Sequence, residues 1–463
     1  MKQQMDSNSS LEQFGYKQEL KRGLTLCPLI FLGLAIVNII GGYTMYGIST
    51  VNTHGMFALL YAIATVVMVF TAISYSKMCK AFPIAGSAYS YVQRAINPHL
   101  GFMVGWAMII DYMVLPLLNY VLVSMYLYLL IPAIPYKVWI VVTVLAMTGI
   151  NIIGVKVASR VDAVITILGV SFVFVFMIFM VRWLLGGNGA GTTADISGII
   201  NIPALSSGAV SFGTVFQQCT LICLCFLGFD ALTTYTEETV DPEKTVGKAI
   251  IFTCLIYGII CVAMGYLSQL SWPNAWMEIT DQGTAAAELV KHVMGNGGSI
   301  IFSVIYLTAA FASGTTAEGS AARLLFVMGR DKTIPGWFSK VNSRFQTPVN
   351  AISVIALLGI FALFTDFASI SSVISFGALT AFVFVNISVI THYYIKGGNR
   401  KGFRNKFNYI IMPIIGAALC AFMWFSLDKA ALIIGLSWCA IGFVYLVVQT
   451  KGFKKQPGVI GEI

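Results

Sequence analysis

Charge is what this sequence has least of. Only 10% of its 463 residues are Asp, Glu, Lys or Arg, and 58% are hydrophobic. Soluble domains carry about 25% charged residues, so a water-soluble globular fold is excluded and an all-α membrane protein with many spans is indicated. Histidine is scarcer still. His54, His99, His292 and His392 lie at the ends of apolar runs, none with a second His or Cys at ligand spacing, so no metal site is expected. There is no phosphate-binding G-x-x-x-x-G-K-[ST] loop, which argues against ATP-driven work. No convergent nucleophile or metal set marks an enzyme, and no cofactor is implied. The nine cysteines are scattered through apolar stretches; the closest pair, Cys223 and Cys225, reads as buried thiols rather than a metal ligand set. The first 24 residues are polar, and no cleavable signal peptide is expected in them.

What is present is length of apolar run. Twelve segments are long enough to span a bilayer, near 25–48, 55–77, 101–131, 137–154, 161–185, 209–235, 248–270, 298–326, 349–365, 369–394, 408–427 and 430–449. An even number puts both termini on one side. With that side cytoplasmic, the inside segments hold 24 of the 28 Lys and Arg residues. The outside segments hold Lys137, Arg182, Lys291 and Lys429. This asymmetry places both termini of a multi-pass plasma-membrane protein in the cytoplasm. It also accounts for the net charge of +9 without nucleic acid. Trp106, Trp139, Trp183, Trp272 and Trp424 read as interface anchors.

Two segments interrupt themselves. The sixth contains LICLCFLGFDALTTYTEE over 221–238, where Gly228 and Asp230 break an apolar helix that ends on Glu237 and Glu238. A carboxylate at that depth is costly unless the backbone lines a cavity. The first segment carries Gly41-Gly42 followed by Tyr43, Thr44, Met45 and Tyr46. Two glycines weaken a helix by about 1 kcal/mol each relative to alanine. Small residues also serve tight helix packing, which is the plainer explanation of the glycine pair taken alone. The two breaks lie five segments apart, as inverted five-segment repeats require, with segments 11 and 12 appended.

The stretch FPIAGSAYSY (82–91) resembles the P-x-x-G-[GS]-x-Y-x-[YW] pattern of the amino acid–polyamine–organocation transporter family. INPHLGFMVGWAMIIDY (96–112), FLGFDALTTYTEETVDPEKTVGKAI (226–250) and ASGTTAEGSAARLLFVMGRDKTIP (312–335) are similar to further parts of that family. The likeness covers nearly the whole chain and is nearest to the bacterial putrescine importers. It implies a leucine-transporter-type fold, a substrate bound between the unwound parts of segments 1 and 6 near segments 3, 8 and 10, and alternating access driven by a gradient or by exchange. The implied organisation is a tail over 1–24 and a core over 25–394 with halves at 25–185 and 209–394. Two further helices over 395–450 and a tail over 451–463 complete it.

Asp230 is a candidate counter-ion for an amine or a protonatable coupling group; the alternative is a side chain that ties the break together by accepting backbone N–H bonds. Glu237 and Glu238 match an acidic pair of the polyamine branch, either meeting a departing substrate or forming an inner-gate ion pair with a base such as Lys77 or Arg323. Asp111 and Tyr112 lie near mid-bilayer, where an aromatic ring beside a carboxylate suits a cation; Tyr112 can equally be a packed core ring. Glu318 sits in a small-residue face of segment 8 where the resemblance shows no acid, while segment 1 has Thr44 where the resemblance implies one. The expectation is that Glu318 replaces that acid across the same cavity; a changed substrate is the competing idea. Phe226, Tyr43, Tyr46 and Tyr235 flank the two breaks as cage or gate candidates, each singly as plausible in the core. The lysine that many proton-coupled members carry at the end of segment 5 is here Gly169.

The expected function is a secondary active transporter of small organic cations, putrescine or a polyamine first, with a coupling proton as a possible partner. An amino acid permease or amino acid/amine exchanger is the rival, with the amides beside Gly41 and Gly42 taking a substrate carboxylate. A channel would lack a reason for paired breaks. Oligomeric state is left open by the sequence.

Overall fold

The structure, a computed structural model, describes residues 23–83, 88–153, 158–190, 196–330, 335–342, 345 and 347–454. The N-terminal tail and the centre of the 82–91 motif therefore lie outside the described residues. Long apolar stretches wind into helices because a bilayer offers no partner for a free N–H or C=O. In chain order these are α1 (Leu26–Val37), α2 (Tyr46–Asn52), α3 (Phe57–Ala81), α4 (Ala88–Ala95), α5 (Pro98–Leu130), α6 (Tyr136–Ile153), α7 (Ala158–Leu185) and α8 (Ile202–Ser206). There follow α9 (Phe212–Leu224), α10 (Pro242–Ser271), α11 (Ala275–Glu278), α12 (Ala285–Arg330), α13 (Val349–Gly359), α14 (Phe367–Val389), α15 (Phe403–Lys406), α16 (Met412–Phe425) and α17 (Lys429–Gln449). Among the described residues the one β feature is an isolated parallel bridge between Leu24 and Thr239.

Ten helical stretches among the described residues are long and apolar enough to cross a membrane. This all-helical, multi-pass architecture is what the composition demands. The count differs from twelve because two stretches are shorter as helices, Phe212–Leu224 and Val349–Leu363. In the first, the apolar run continues past Leu224 but the backbone changes to a 3-10 winding over Asp230–Glu238. In the second, the helix tightens into a 3-10 turn over Ile360–Leu363.

Local chemistry sets several boundaries. Asn97 accepts from the Leu100 N–H at 2.9 Å and Pro98 opens α5, the pairing expected at a helix start. Ser211 caps α9 and Asp366 caps α14 in the same way. At Gly101 a Cβ would stand 2.6 Å from Gln93 Cβ, so the glycine lets α4 lie against α5. The core is built by α10 packed along α3, and by α5 held between α12 and α14. Trp106 is no interface anchor: it is buried, stacks on Trp438 of α17 at 4.9 Å, and the two indoles each donate to the other's carbonyl. Trp272 is likewise buried, its Nε1 donating to Glu278 at 2.6 Å.

Candidate functional site: an acid-lined cavity beside two interrupted helices

The helix that begins at Leu26 ends at Val37, because Asn38 takes the left-handed region at φ 61°. Asparagine tolerates that region better than most residues. A 3-10 turn spans Ile39–Tyr43 before α2 resumes at Tyr46. The interruption thus starts three residues ahead of the glycine pair. Beyond α9 the chain turns at Gly228, with φ 111°. A Cβ there would stand 2.7 Å from Ile36 Cγ2, so this glycine is required by its backbone and by the close approach of α1. The second interruption therefore packs on the end of α1, just ahead of the first. Gly42 serves packing as well: its carbonyl accepts from Tyr61 Oη at 2.7 Å, and a Cβ would meet Cys261 Sγ at 2.9 Å.

Between the interruptions lies a cavity of about 340 Å3. It is lined by parts of α1, α5, α9, α12 and α14 with the two turns. Of the residues singled out in the sequence, it brings together Gly41, Thr44, Asp111, Tyr112 and Asp230. Asp111 and Asp230 stand within electrostatic reach of each other, and Tyr112 lies in the field of both. Tyr112 is 42% exposed, which decides against a packed core ring. Asp230 Oδ1 accepts from the Gly228 N–H at 3.3 Å, so it ties the turn while facing the cavity. Among the described residues neither carboxylate has an ion-pair partner, and the cavity lining holds no basic side chain.

The other predicted residues are placed elsewhere. Phe226 is 1% exposed and packs edge-on against Tyr257 at 5.0 Å, behind the cavity wall. Gly42 and Tyr235 do not line the cavity. Tyr43 is buried, meets Ser268 Oγ at 3.2 Å and packs on Phe302. Tyr46 packs with Tyr43 and Phe57. These rings form one aromatic cluster. Tyr75, Tyr91, Phe229 and Phe382 form a second, of which Phe382 lines the cavity.

Glu318 corrects an expectation. It does not line the cavity. It is fully buried between α6 and α12, accepting from Thr148 Oγ1 at 2.8 Å and Asn151 Nδ2 at 3.1 Å. It lies five positions after Ser313, which does face the cavity. That spacing turns a side chain through roughly 140° around a helix. The side chain of Glu237 lies outside the described residues. Glu238 has no ion pair among the described residues; its carbonyl accepts from the Gly23 and Leu24 N–H groups at 2.9 and 3.0 Å. Lys77, offered as a gate partner, instead donates to the Asn408 carbonyl and stands over the Tyr409 ring. Gly169 lies beside the first interruption, its Cβ position 3.2 Å from Ile40 Cγ2.

Several lining residues escaped the sequence reading. Tyr306 donates to or accepts from Thr44 Oγ1 at 2.6 Å, closing one wall of the cavity. Asn119 lines it two turns from Asp111 on the same face of α5, a spacing that was there to be found. Asn38, Thr233, Ser313 and Phe382 add to the polar and aromatic lining. Two free carboxylates a short distance apart, with hydroxyl and amide oxygens around them, can hold positive charge.

The family model for amino acid permeases matches residues 31–460. The chain belongs to the amino acid permease family. This permease is 35% identical to the low-affinity putrescine importer PlaP of Escherichia coli (strain K12) over 444 residues, covering 94% of this chain and 95% of that protein. It is 23% identical to the branched-chain amino acid permease BcaP of Bacillus subtilis (strain 168), covering 95% of each chain. It is 25% identical to the methylthioribose transporter of the same organism, covering 94% and 95%. The permease family accords with a multi-pass, membrane-embedded transport protein.

Proposed function

We propose that this permease is a secondary active transporter of small organic cations, with putrescine or a related polyamine as substrate. The observation that carries this is the cavity of about 340 Å3 whose described lining has two carboxylates, Asp111 and Asp230, and no basic group. That volume lies within the roughly 300–1,000 Å3 range of small-molecule pockets. A diamine places one ammonium against each carboxylate, and its methylene chain lies along the apolar walls. Excess negative charge in a water-poor site concentrates cations and repels anions. Each charge that leaves water finds an opposite charge, which is the condition for burying it. Tyr112 adds a ring face for one ammonium. The 35% identity to a putrescine importer supports the same substrate class.

In this reading twelve spans form two inverted five-span halves, 25–185 and 209–394, with two helices over 395–450 appended and tails at 1–24 and 451–463. Both termini lie in the cytoplasm of a bacterial cell, and spans 1 and 6 are unwound at mid-membrane, where substrate binds. Gly41 and Thr44 supply backbone and hydroxyl contacts. The carboxylates of Asp111 and Asp230 serve substrate and coupling proton in turn. The backbone clasp between residues 23–24 and 238–240 joins the first span to the sixth at the inner gate, beside Glu237 and Glu238.

A second reading is an amino acid permease or amino acid/amine exchanger. Gly41 at the cavity wall favours it, because amides at an interrupted helix attract a carboxylate. Competition separates the two: putrescine, cadaverine, spermidine, agmatine and neutral amino acids are tested against labelled putrescine uptake and in thermal-shift binding. Protection by the amines supports the cation reading; protection by neutral amino acids alone overturns it.

A further inference from the structure

A second acidic site lies outside the cavity. Glu318 is fully buried, and no cationic side chain pairs with it among the described residues. Its partners are neutral donors on one neighbouring helix: Thr148 at 2.8 Å and Asn151 at 3.1 Å, both on α6. Asn151 also donates to the Thr315 carbonyl at 3.1 Å, so one amide spans α6 and α12 at this point. Gly319 makes room for it, since a Cβ there would stand 2.8 Å from Asn151 Oδ1. The Tyr120 hydroxyl of α5 is buried in the same environment, beside Glu318 and Thr148. A carboxylate so placed has no cation to offset the cost of taking its charge out of water.

We propose that Glu318 is a proton-binding site, separate from the substrate cavity, whose occupancy sets how α12 packs on α6. As the carboxylate, Glu318 accepts from Thr148 and Asn151. On taking one proton from water it becomes a carboxylic acid with an O–H to donate, and the neighbouring Tyr120 oxygen is placed to accept it as the phenol turns its own O–H away. Loss of that proton to water restores the first arrangement, so the cycle balances without any other reactant. The same helix carries Tyr306 and Ser313 into the cavity, and Asn119 of the cavity is the chain neighbour of Tyr120. A shift of α12 therefore reaches the substrate.

The surrounding charges are few. Tyr120 is the titratable group facing Glu318 from α5, and α6 presents Thr148 and Asn151 there. The sequence of α13 has no titratable side chain. On α12 itself Arg323 is exposed. On α7, Arg182 belongs to the far end, where its neighbour Trp183 meets His292; the side chains of Arg160 and Asp162 lie outside the described residues.

Two experiments on the full-length protein in lipid test this. Infrared difference spectra between acidic and basic pH, taken without substrate, should contain a protonated-carboxyl band that disappears in Glu318→Gln and persists in Asp111→Asn. A band unchanged in Glu318→Gln, or one moved by exchanging sodium for choline and not by pH, overturns the proposal. If Glu318→Gln does not fold, Thr148→Val keeps the acid while removing a donor to its charged form. The band midpoint should then move to higher pH, and an unmoved midpoint overturns the proposal. Uptake by reconstituted Glu318→Gln should have a shifted pH profile with substrate affinity unchanged; a wild-type profile overturns the proposal. Because the infrared measurement uses no substrate, it stands whether or not the cation reading holds.

Discussion

Asp230 and Glu318 are both acids set in apolar helical surroundings, yet they are housed in opposite ways. Asp230 sits where the helix stops. Its backbone turn opens a cavity, and it shares that space with Asp111 and with no base among the described residues. Glu318 sits well inside the helical stretch that follows the kink of α12 at Gly295, sealed from the cavity and met by two neutral donors from α6. The first arrangement leaves charge unsatisfied until something positive arrives. The second satisfies the charge locally and leaves no space for anything larger than a proton. The difference lies in the backbone more than in the side chain: an interrupted helix gives an acid room for a ligand, an intact one gives it neighbours.

That contrast can be broken in order of expected effect. Removing either cavity charge, by Asp111→Asn or Asp230→Asn, should weaken putrescine binding by ~30-fold or more, since truncating one partner of a buried charge pair costs about 2–5 kcal/mol. Isothermal titration on purified protein reads this directly. The same measurement on Glu318→Gln should give the wild-type affinity; a comparable loss there would erase the distinction between the two sites.

Gly228→Ala comes next. A non-glycine residue at φ 111° and a Cβ 2.7 Å from Ile36 should cost about 1–3 kcal/mol of stability from the backbone alone. The measurement is thermal unfolding in detergent. Trimming the clash with Ile36→Ala should recover part of the loss and leave the backbone strain. Thr148→Val removes a donor to Glu318 and should destabilise by about 1–3 kcal/mol, with putrescine affinity unchanged. Smallest is Tyr306→Phe, which deletes the 2.6 Å contact to Thr44 at the cavity wall. One net hydrogen bond is worth about 0.5–1.5 kcal/mol, so affinity should fall by less than ~10-fold.

Much of the fold was legible because composition leaves a bilayer-spanning chain so few options. The break at Gly228 was readable for the same reason: glycine and a carboxylate have no other cheap use in an apolar run. The lining was less readable. Segments apolar on every side do not reveal which face turns inward, so Tyr306 and Asn38 carried no signal until helices were placed around them, whereas Asn119 shares a face of α5 with Asp111. Glu318 was noticed but assigned to the cavity, because sequence shows that an acid needs a partner and does not show that Thr148 and Asn151 on another helix supply it. Phe226 and Tyr43 were candidates by proximity in sequence to a break. Packing turned both away, toward Tyr257 and Phe302.

The most direct measurement is putrescine affinity of the double variant Asp111→Asn/Asp230→Asn against wild type, by titration at one pH and ionic strength. The account predicts that binding is abolished while the protein remains folded by its unfolding transition. Retained wild-type affinity in a folded double variant would contradict it.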